Sequence, residues 1–140
     1  MDKCFTKWYG STESKVFKTR IFARWARRNG LTDAALLTAV AEMGHGLVDG
    51  NLGGFVYKKR IGLPGLGKRG AVRTIVATRT SAHCFFLYGF AKNKRSNVSQ
   101  RELKVLQVIA AQLLGFNNEQ LEAALVVGEI VEVTDEAIES

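Results

Sequence analysis

Phe55-Val56-Tyr57-Lys58-Lys59-Arg60-Ile61 is the stretch on which the reading of this 140-residue chain turns. β-Branched and aromatic residues recur in it, the composition of a strand rather than of a helix. Period-two alternation puts Val56, Lys58 and Arg60 on one face and Tyr57, Lys59 and Ile61 on the other. Two further stretches of the same character follow, residues 72–79 and 84–91, divided by segments containing Gly or Ser. Connections this short predict an antiparallel meander rather than crossover units. Arg73 and Arg79 share one face of the second strand, and Lys92 closes the third. A sheet face carrying Lys58, Arg60, Arg73 and Lys92 repels itself. Either a polyanion neutralises it, or it is a hydrated face that serves solubility, and the strand pattern leaves both open.

Outward from these strands the period changes. Residues 15–19 read as a short first strand. Residues 20–29 read as a helix with Ile21, Phe22 and Trp25 facing inward and Gly30 at its end. Thr32 or Asp33 caps a second helix, in which Leu36, Val40, Met43 and Leu47 fall at helical spacing. On the C-terminal side, Ser99 followed by Glu102 is a capping-box signal, and Leu103, Leu106, Ala110 and Leu113 then line one face as far as Gly115. Asn117 or Asn118 opens a shorter helix through Leu121 and Leu125, stopped by Gly128, and residues 130–133 read as a last strand. The expected fold is therefore α+β: two N-terminal helices on a small twisted antiparallel sheet, with C-terminal helices after it. The expected organisation is an irregular extension over 1–14, one domain over 15–133 and an acidic tail over 134–140.

Charge is distributed in blocks. Residues 1–30 balance at +6, 31–50 at −3, 51–105 at +11 and 106–140 at −7, for a net +7. Such a cationic segment suits a polyanionic partner, although charge alone equally describes a solvated surface. No apolar run is long enough to cross a bilayer, and no apolar stretch follows Lys3 and Lys7 to make a secretory signal. Cys4 and Cys84 are isolated, which fits a reducing cytoplasm, and no membrane partner is expected.

Two tempting motifs fail on context. Gly65-Leu66-Gly67-Lys68-Arg69-Gly70 has the letters of a dinucleotide fingerprint, and Gly62 through Lys68 those of a phosphate-binding loop. Both need a helix next, because the helix N-terminus receives the phosphate, and here strand-like residues 72–77 follow. Arg69 also stands where the phosphate loop needs Ser or Thr. The segment reads instead as a basic hairpin loop.

Several segments together resemble one branch of the RelE/ParE superfamily, the HigB-like toxins. They are Phe17-Lys18-Thr19, Phe22-Ala23-Arg24-Trp25-Ala26, Leu52-Gly53-Gly54, Val56-Tyr57-Lys58-Lys59-Arg60-Ile61, Pro64-Gly65, Gly67-Lys68, Arg73-Thr74-Ile75-Val76 and Phe85-Phe86-Leu87-Tyr88-Gly89-Phe90-Ala91-Lys92. The similarity runs from about residue 15 to about residue 133. It implies a toxin encoded beside an antitoxin, with many relatives cutting messenger RNA on the ribosome and ParE-like relatives inhibiting DNA gyrase instead. The implied partners are a cognate antitoxin, messenger RNA and the ribosome, and operator DNA for the toxin–antitoxin complex.

RNA cleavage in this family is thought to use the substrate's own 2′-hydroxyl, which needs a base, an acid for the 5′-oxygen, and cations around the phosphorane. Glu102 is the only carboxylate from 51 to 105, so paired carboxylates are poorly supported. Like charge around an ammonium favours its neutral, proton-accepting form. The resemblance implies Lys58 as the catalytic lysine, Arg60 as a second cation, Arg73 as the phosphate-stabilising arginine, and Lys92 completing the ring. Lys59, Lys68, Arg69, Arg79, Tyr88, Lys94 and Arg95 are the expected RNA contacts. Tyr88 either stacks on a base or is a buried strand aromatic, and His83 is either a general acid or an ordinary turn histidine. RelE has a tyrosine near the place of Ser99 and an arginine where Asn93 stands, which puts the activity in question. Dispersed histidines and cysteines make a poor zinc site, and no metal or cofactor is expected. Two function classes stay open: an endoribonuclease, or a non-catalytic inhibitor of a protein such as gyrase or a nucleic-acid-binding module.

Overall fold

Aromatic and β-branched runs form the sheet. The computed structural model describes residues 14–63, 67–79, 83–91 and 97–134. In chain order its elements are β1 (Val16–Thr19), α1 (Arg20–Arg28), α2 (Asp33–Gly44), β2 (Gly50–Gly53), β3 (Val56–Leu63), β4 (Gly67–Thr78), β5 (Cys84–Ala91), α3 (Gln100–Leu114), α4 (Asn118–Val126) and β6 (Ile130–Glu132). The strands make one six-stranded sheet in the order β2-β3-β4-β5-β1-β6. The expected meander is present as β3 to β5, and an unexpected edge strand, β2, joins it antiparallel on β3. The sheet as a whole is mixed, because β1 pairs parallel with β5 before β6 closes antiparallel on β1. That parallel pair is possible because α1 and α2 intervene in the chain between β1 and the meander.

Helices cover both faces. On one, Phe22 and Ala26 of α1 and Leu36 and Ala39 of α2 pack with Ile61, Val72, Val76 and Phe86. On the other, Leu106, Ala110 and Leu113 of α3 and Leu121 and Ala124 of α4 pack with Val56, Ile75, Ala77, Phe85 and Phe90. Two covered faces explain why the adjacent Phe85 and Phe86 are both fully buried, where a one-sided sheet would leave alternate positions in water. Each buried phenylalanine contributes roughly 1.5–3 kcal/mol. The ion pairs Lys18–Asp33 (2.6 Å) and Lys59–Glu42 (2.8 Å) contribute less than this wherever water reaches them, and apolar burial dominates the stability.

Helix starts follow local chemistry. Thr32, rather than Asp33, caps α2 by accepting from the Ala35 N–H, and Asn117, rather than Asn118, caps α4 by accepting from that of Gln120. Ser99 and Glu102 make the expected reciprocal box at α3. Some expectations fail. Ile21 is exposed on α1, where Ala23 and Ala26 face inward with Phe22, and Leu47 lies beyond the end of α2 in water. The edge strand β2 has too little apolar content to be read as a strand; pairing with β3 makes it one. β4 begins at Gly67, so most of the supposed basic loop is strand, and no helix follows the glycines. The extension expected to be irregular, before residue 14, and the tail after 134 lie outside the described residues. Among the described residues, no helix is long and apolar enough to cross a membrane.

One close approach sets how α1 lies on the sheet. A Cβ at Gly89 would stand 2.3 Å from the Trp25 ring, so only glycine lets that ring rest on β5. A bulge beside Ile75 and Val76 places an additional β5 residue, Leu87, between Phe86 and Tyr88. Leu87 packs in the same α3/α4 core as Phe85, two residues before it, and the added residue turns Tyr88 against that core as well.

Candidate active site

β3 alternation carries the site. Val56 packs under α3, so Lys58 and Arg60, two and four residues on, project from the same face. Arg60 is paired in register with Arg73 of β4, which sets two guanidinium-bearing residues directly across from each other. Gly50 of β2 pairs with Lys58 on the other side. Lys58, Arg60 and Arg73, with Asp49, line an open pocket of about 120 Å³. Arg60 is exposed, and Lys58 and Arg73 are half-buried.

Asp49 went unrecognised in the sequence, and it is the carboxylate of this pocket. Its N–H donates to the Lys58 carbonyl at 2.8 Å, and its Oδ2 accepts from the Arg60 N–H at 2.6 Å. The carboxylate thus clasps the start of β2 onto β3 and offsets part of the repulsion among three cations. The signal available was weak. Asp49 falls in the acidic block 31–50, and only the pairing of β2 with β3 brings it beside Lys58. One carboxylate among three cations is a poor seat for a metal ion and a good one for a phosphate. Among the described residues, no group of three or more His, Cys, Asp or Glu could hold a metal.

The other expected residues are dispersed. Lys59 turns to the opposite face, 6 % exposed, where its ammonium donates to the Leu47 carbonyl at 2.9 Å and pairs with Glu42. Burial and pairing there remove it from the RNA contacts. Arg79 lies beyond the far end of β4, its guanidinium carbon 5.6 Å from the Phe55 ring centre. Tyr88 is half-buried against the α3/α4 core, with its ring 6.1 Å from that of Phe90. β5 ends at Ala91 opposite Val72, at the pocket end of the sheet; Lys92, Lys94 and Arg95 come after it and lie outside the described residues. Lys68 and Arg69 belong to the backbone of β4, and their side chains are outside the description.

Neither histidine joins the pocket. His83 Nδ1 accepts from the Lys15 N–H at 3.0 Å, and its ring packs edge-on against Phe17 and Phe85. Burial first, and the Lys15 charge second, hold its pKa below the ordinary value. His45 caps the end of α2, with Nδ1 3.0 Å from the Ala41 carbonyl oxygen. Glu102 is engaged in the α3 cap. Cys84 is buried, and burial pushes its thiol up to about 12, which makes it inert as a nucleophile.

A protein-family model described as the RelE toxin of the RelE/RelB toxin–antitoxin system matches residues 14–133. No curated protein matches the chain.

Proposed function

The chain belongs to the RelE toxin family of RelE/RelB toxin–antitoxin systems, and from that premise we propose that it is an endoribonuclease of the HigB-like branch that cleaves messenger RNA on the ribosome. Membership makes it the toxin half of a pair and implies a cognate antitoxin. Operator DNA is the proposed further ligand of that pair. The observation that carries the catalytic reading is the convergence of Lys58, Arg60 and Arg73 on one open pocket.

The chemistry this arrangement supports is an in-line displacement. The 2′-oxygen of one nucleotide bonds to its own 3′-phosphorus, and the bond from phosphorus to the 5′-oxygen of the next nucleotide breaks. A 2′,3′-cyclic phosphate and a free 5′-hydroxyl result. Lys58 takes the 2′-hydroxyl proton. Arg60 and Arg73 neutralise the charge that builds on the phosphorane oxygens, and the planar fork of Arg73 suits two of those oxygens at once. Lys92 is the candidate donor to the departing 5′-oxygen. Asp49 keeps the β2–β3 edge closed so that Lys58 and Arg60 stand at fixed spacing.

Arg73→Ala and Lys58→Ala test this. Each should lower ribosome-dependent cleavage by about 10²–10³, the usual cost of removing one preorganised charge-stabilising group. Each should also relieve growth inhibition on induction while the variant melts like the parent, because these side chains are not core. If both variants stay fully toxic, the active site is elsewhere. A DNA-damage response with messenger RNA intact would point to a gyrase-type inhibitor instead.

A further inference from the structure

The β2–β3 hairpin ends in a two-residue loop, Gly54-Phe55, between the paired residues Gly53 and Val56. Gly54 has φ +63° and Phe55 φ +64°, so both loop residues are left-handed. Such a loop suits Asn or Gly, and a bulky aromatic there is strained. The strained residue is also 51 % exposed, so its ring is not held there by burial. The Arg79 guanidinium lies over the ring, its central carbon 5.6 Å from the ring centre. The tip itself is held firmly. Thr78 N–H donates to the Phe55 carbonyl at 3.0 Å, and Gln107 of α3 donates to the Leu52 carbonyl at 3.1 Å. A Cβ on Gly53 or Gly54 would stand only 3.3 or 3.2 Å from the Gln107 side chain.

We infer that Phe55 and Arg79 form a stacking site for one unpaired RNA base, distinct from the pocket of Lys58, Arg60 and Arg73. The site rests on the reading of that pocket as an RNA site and extends it along the molecule. A flat ring with a guanidinium over it offers a base two π-partners and places a cation where the adjoining phosphate runs. Strain retained at an exposed residue is expected where function requires the side chain. A protein hot spot would need apolar neighbours, and the hairpin residues just before Phe55, Gly53 and Gly54, are exposed and carry no side chain. Phe55 lies five residues before Arg60 on extended chain, on the order of 16 Å. A stacked strand advances roughly 3.4 Å per nucleotide, and α3 covers Val56 between the two sites, so at least about five nucleotides separate a base on Phe55 from a phosphate in the pocket.

The test uses a fluorescein-labelled single-stranded RNA octanucleotide, the same sequence as a duplex, and the full chain. Phe55→Gly should weaken single-strand binding about five-fold or more, the size of one base–aromatic stack. It should leave duplex binding and the salt slope unchanged, and melt at or above the wild-type temperature. Phe55→Tyr should bind like wild type. Arg73→Ala, by contrast, should weaken both ligands and flatten the salt slope. If Phe55→Gly binds the single strand as wild type does while Arg73→Ala does not, the stacking site is wrong and the pocket reading stands. If Phe55 matters and Arg73 and Lys58 do not, the RNA site is here and the pocket reading fails. A marked drop in melting temperature for Phe55→Gly would make the ring a structural prop and overturn the inference. Failure of the wild-type chain to bind the octanucleotide overturns the stacking site, and the pocket reading then stands or falls on ribosome-dependent cleavage.

Discussion

His83 accepts the Lys15 N–H through Nδ1, which it can do only while that nitrogen is unprotonated. Its pKa is held down by burial and by Lys15, against a smaller opposing pull from Glu132. A histidine whose folded pKa is depressed contributes stability that is complete above its unfolded value of about 6.5 and is lost as pH falls from there toward the folded value. His83→Gln keeps an acceptor that does not titrate. The difference in urea midpoint between wild type and His83→Gln should therefore shrink as pH is lowered from 7.5 to 5, and a constant difference would contradict the role given to this ring. Neighbouring side chains can have opposite fates at this scale. Lys58 faces the pocket and Lys59 a core ion pair, because successive strand residues point to opposite sides.

Among the elements, β6 has the least sequence and a large structural share. It spans three residues, yet it closes on β1 from Thr19↔Ile130 to Phe17↔Glu132, and just beyond it the Val133 N–H donates to the Val16 carbonyl at 2.8 Å. Ile130 and Val133 are both buried. Truncation after Gly128 deletes both, at roughly 1.5–3 kcal/mol each, a large share of a typical 5–15 kcal/mol total. That variant should melt far below the parent or fail to fold. Truncation after Thr134 removes residues 135–140, which carry Asp135, Glu136 and Glu139, and should leave melting temperature and RNA cleavage unchanged. A large gain in cleavage from the shorter deletion would show that the tail is an inhibitor of the pocket. The bulge at Leu87 acts at the same scale: one additional residue turns Tyr88 to the α3/α4 core beside Leu87 and leaves Gly89 under Trp25.

Across the whole molecule, charge separates into a basic centre and an acidic C-terminal quarter, +11 over residues 51–105 and −7 over 106–140. Three pocket cations engaging phosphates would release about three counterions' worth of salt dependence. For single-stranded RNA the slope of log K against log salt should then be about −2, and steeper if Lys68, Arg69 or Lys92 also reach the strand. Anisotropy titrations from 50 to 300 mM salt read this directly. Binding that ignores salt would assign the face to an apolar protein partner.

Periodicity and capping determined most of the elements from sequence alone, because they depend on neighbours within a few residues: Ser99 with Glu102, Thr32 or Asp33 before α2, the alternation through Lys58 and Arg60. The same alternation made Lys58 and Arg60 legible as one cationic face, and Arg73 joined it once antiparallel pairing was assumed. What only the tertiary structure decided depends on pairing between distant segments. The parallel β1–β5 pair, the weak strand β2, the bulge at Leu87 and the arrival of Asp49 beside Arg60 carry no local periodic signal. Arg79, too, shares parity with Arg73 but lies six residues away along β4 and meets Phe55 instead. Parity along a strand sets which face a side chain takes; distance along the sheet, and the register of its neighbours, set what it can touch.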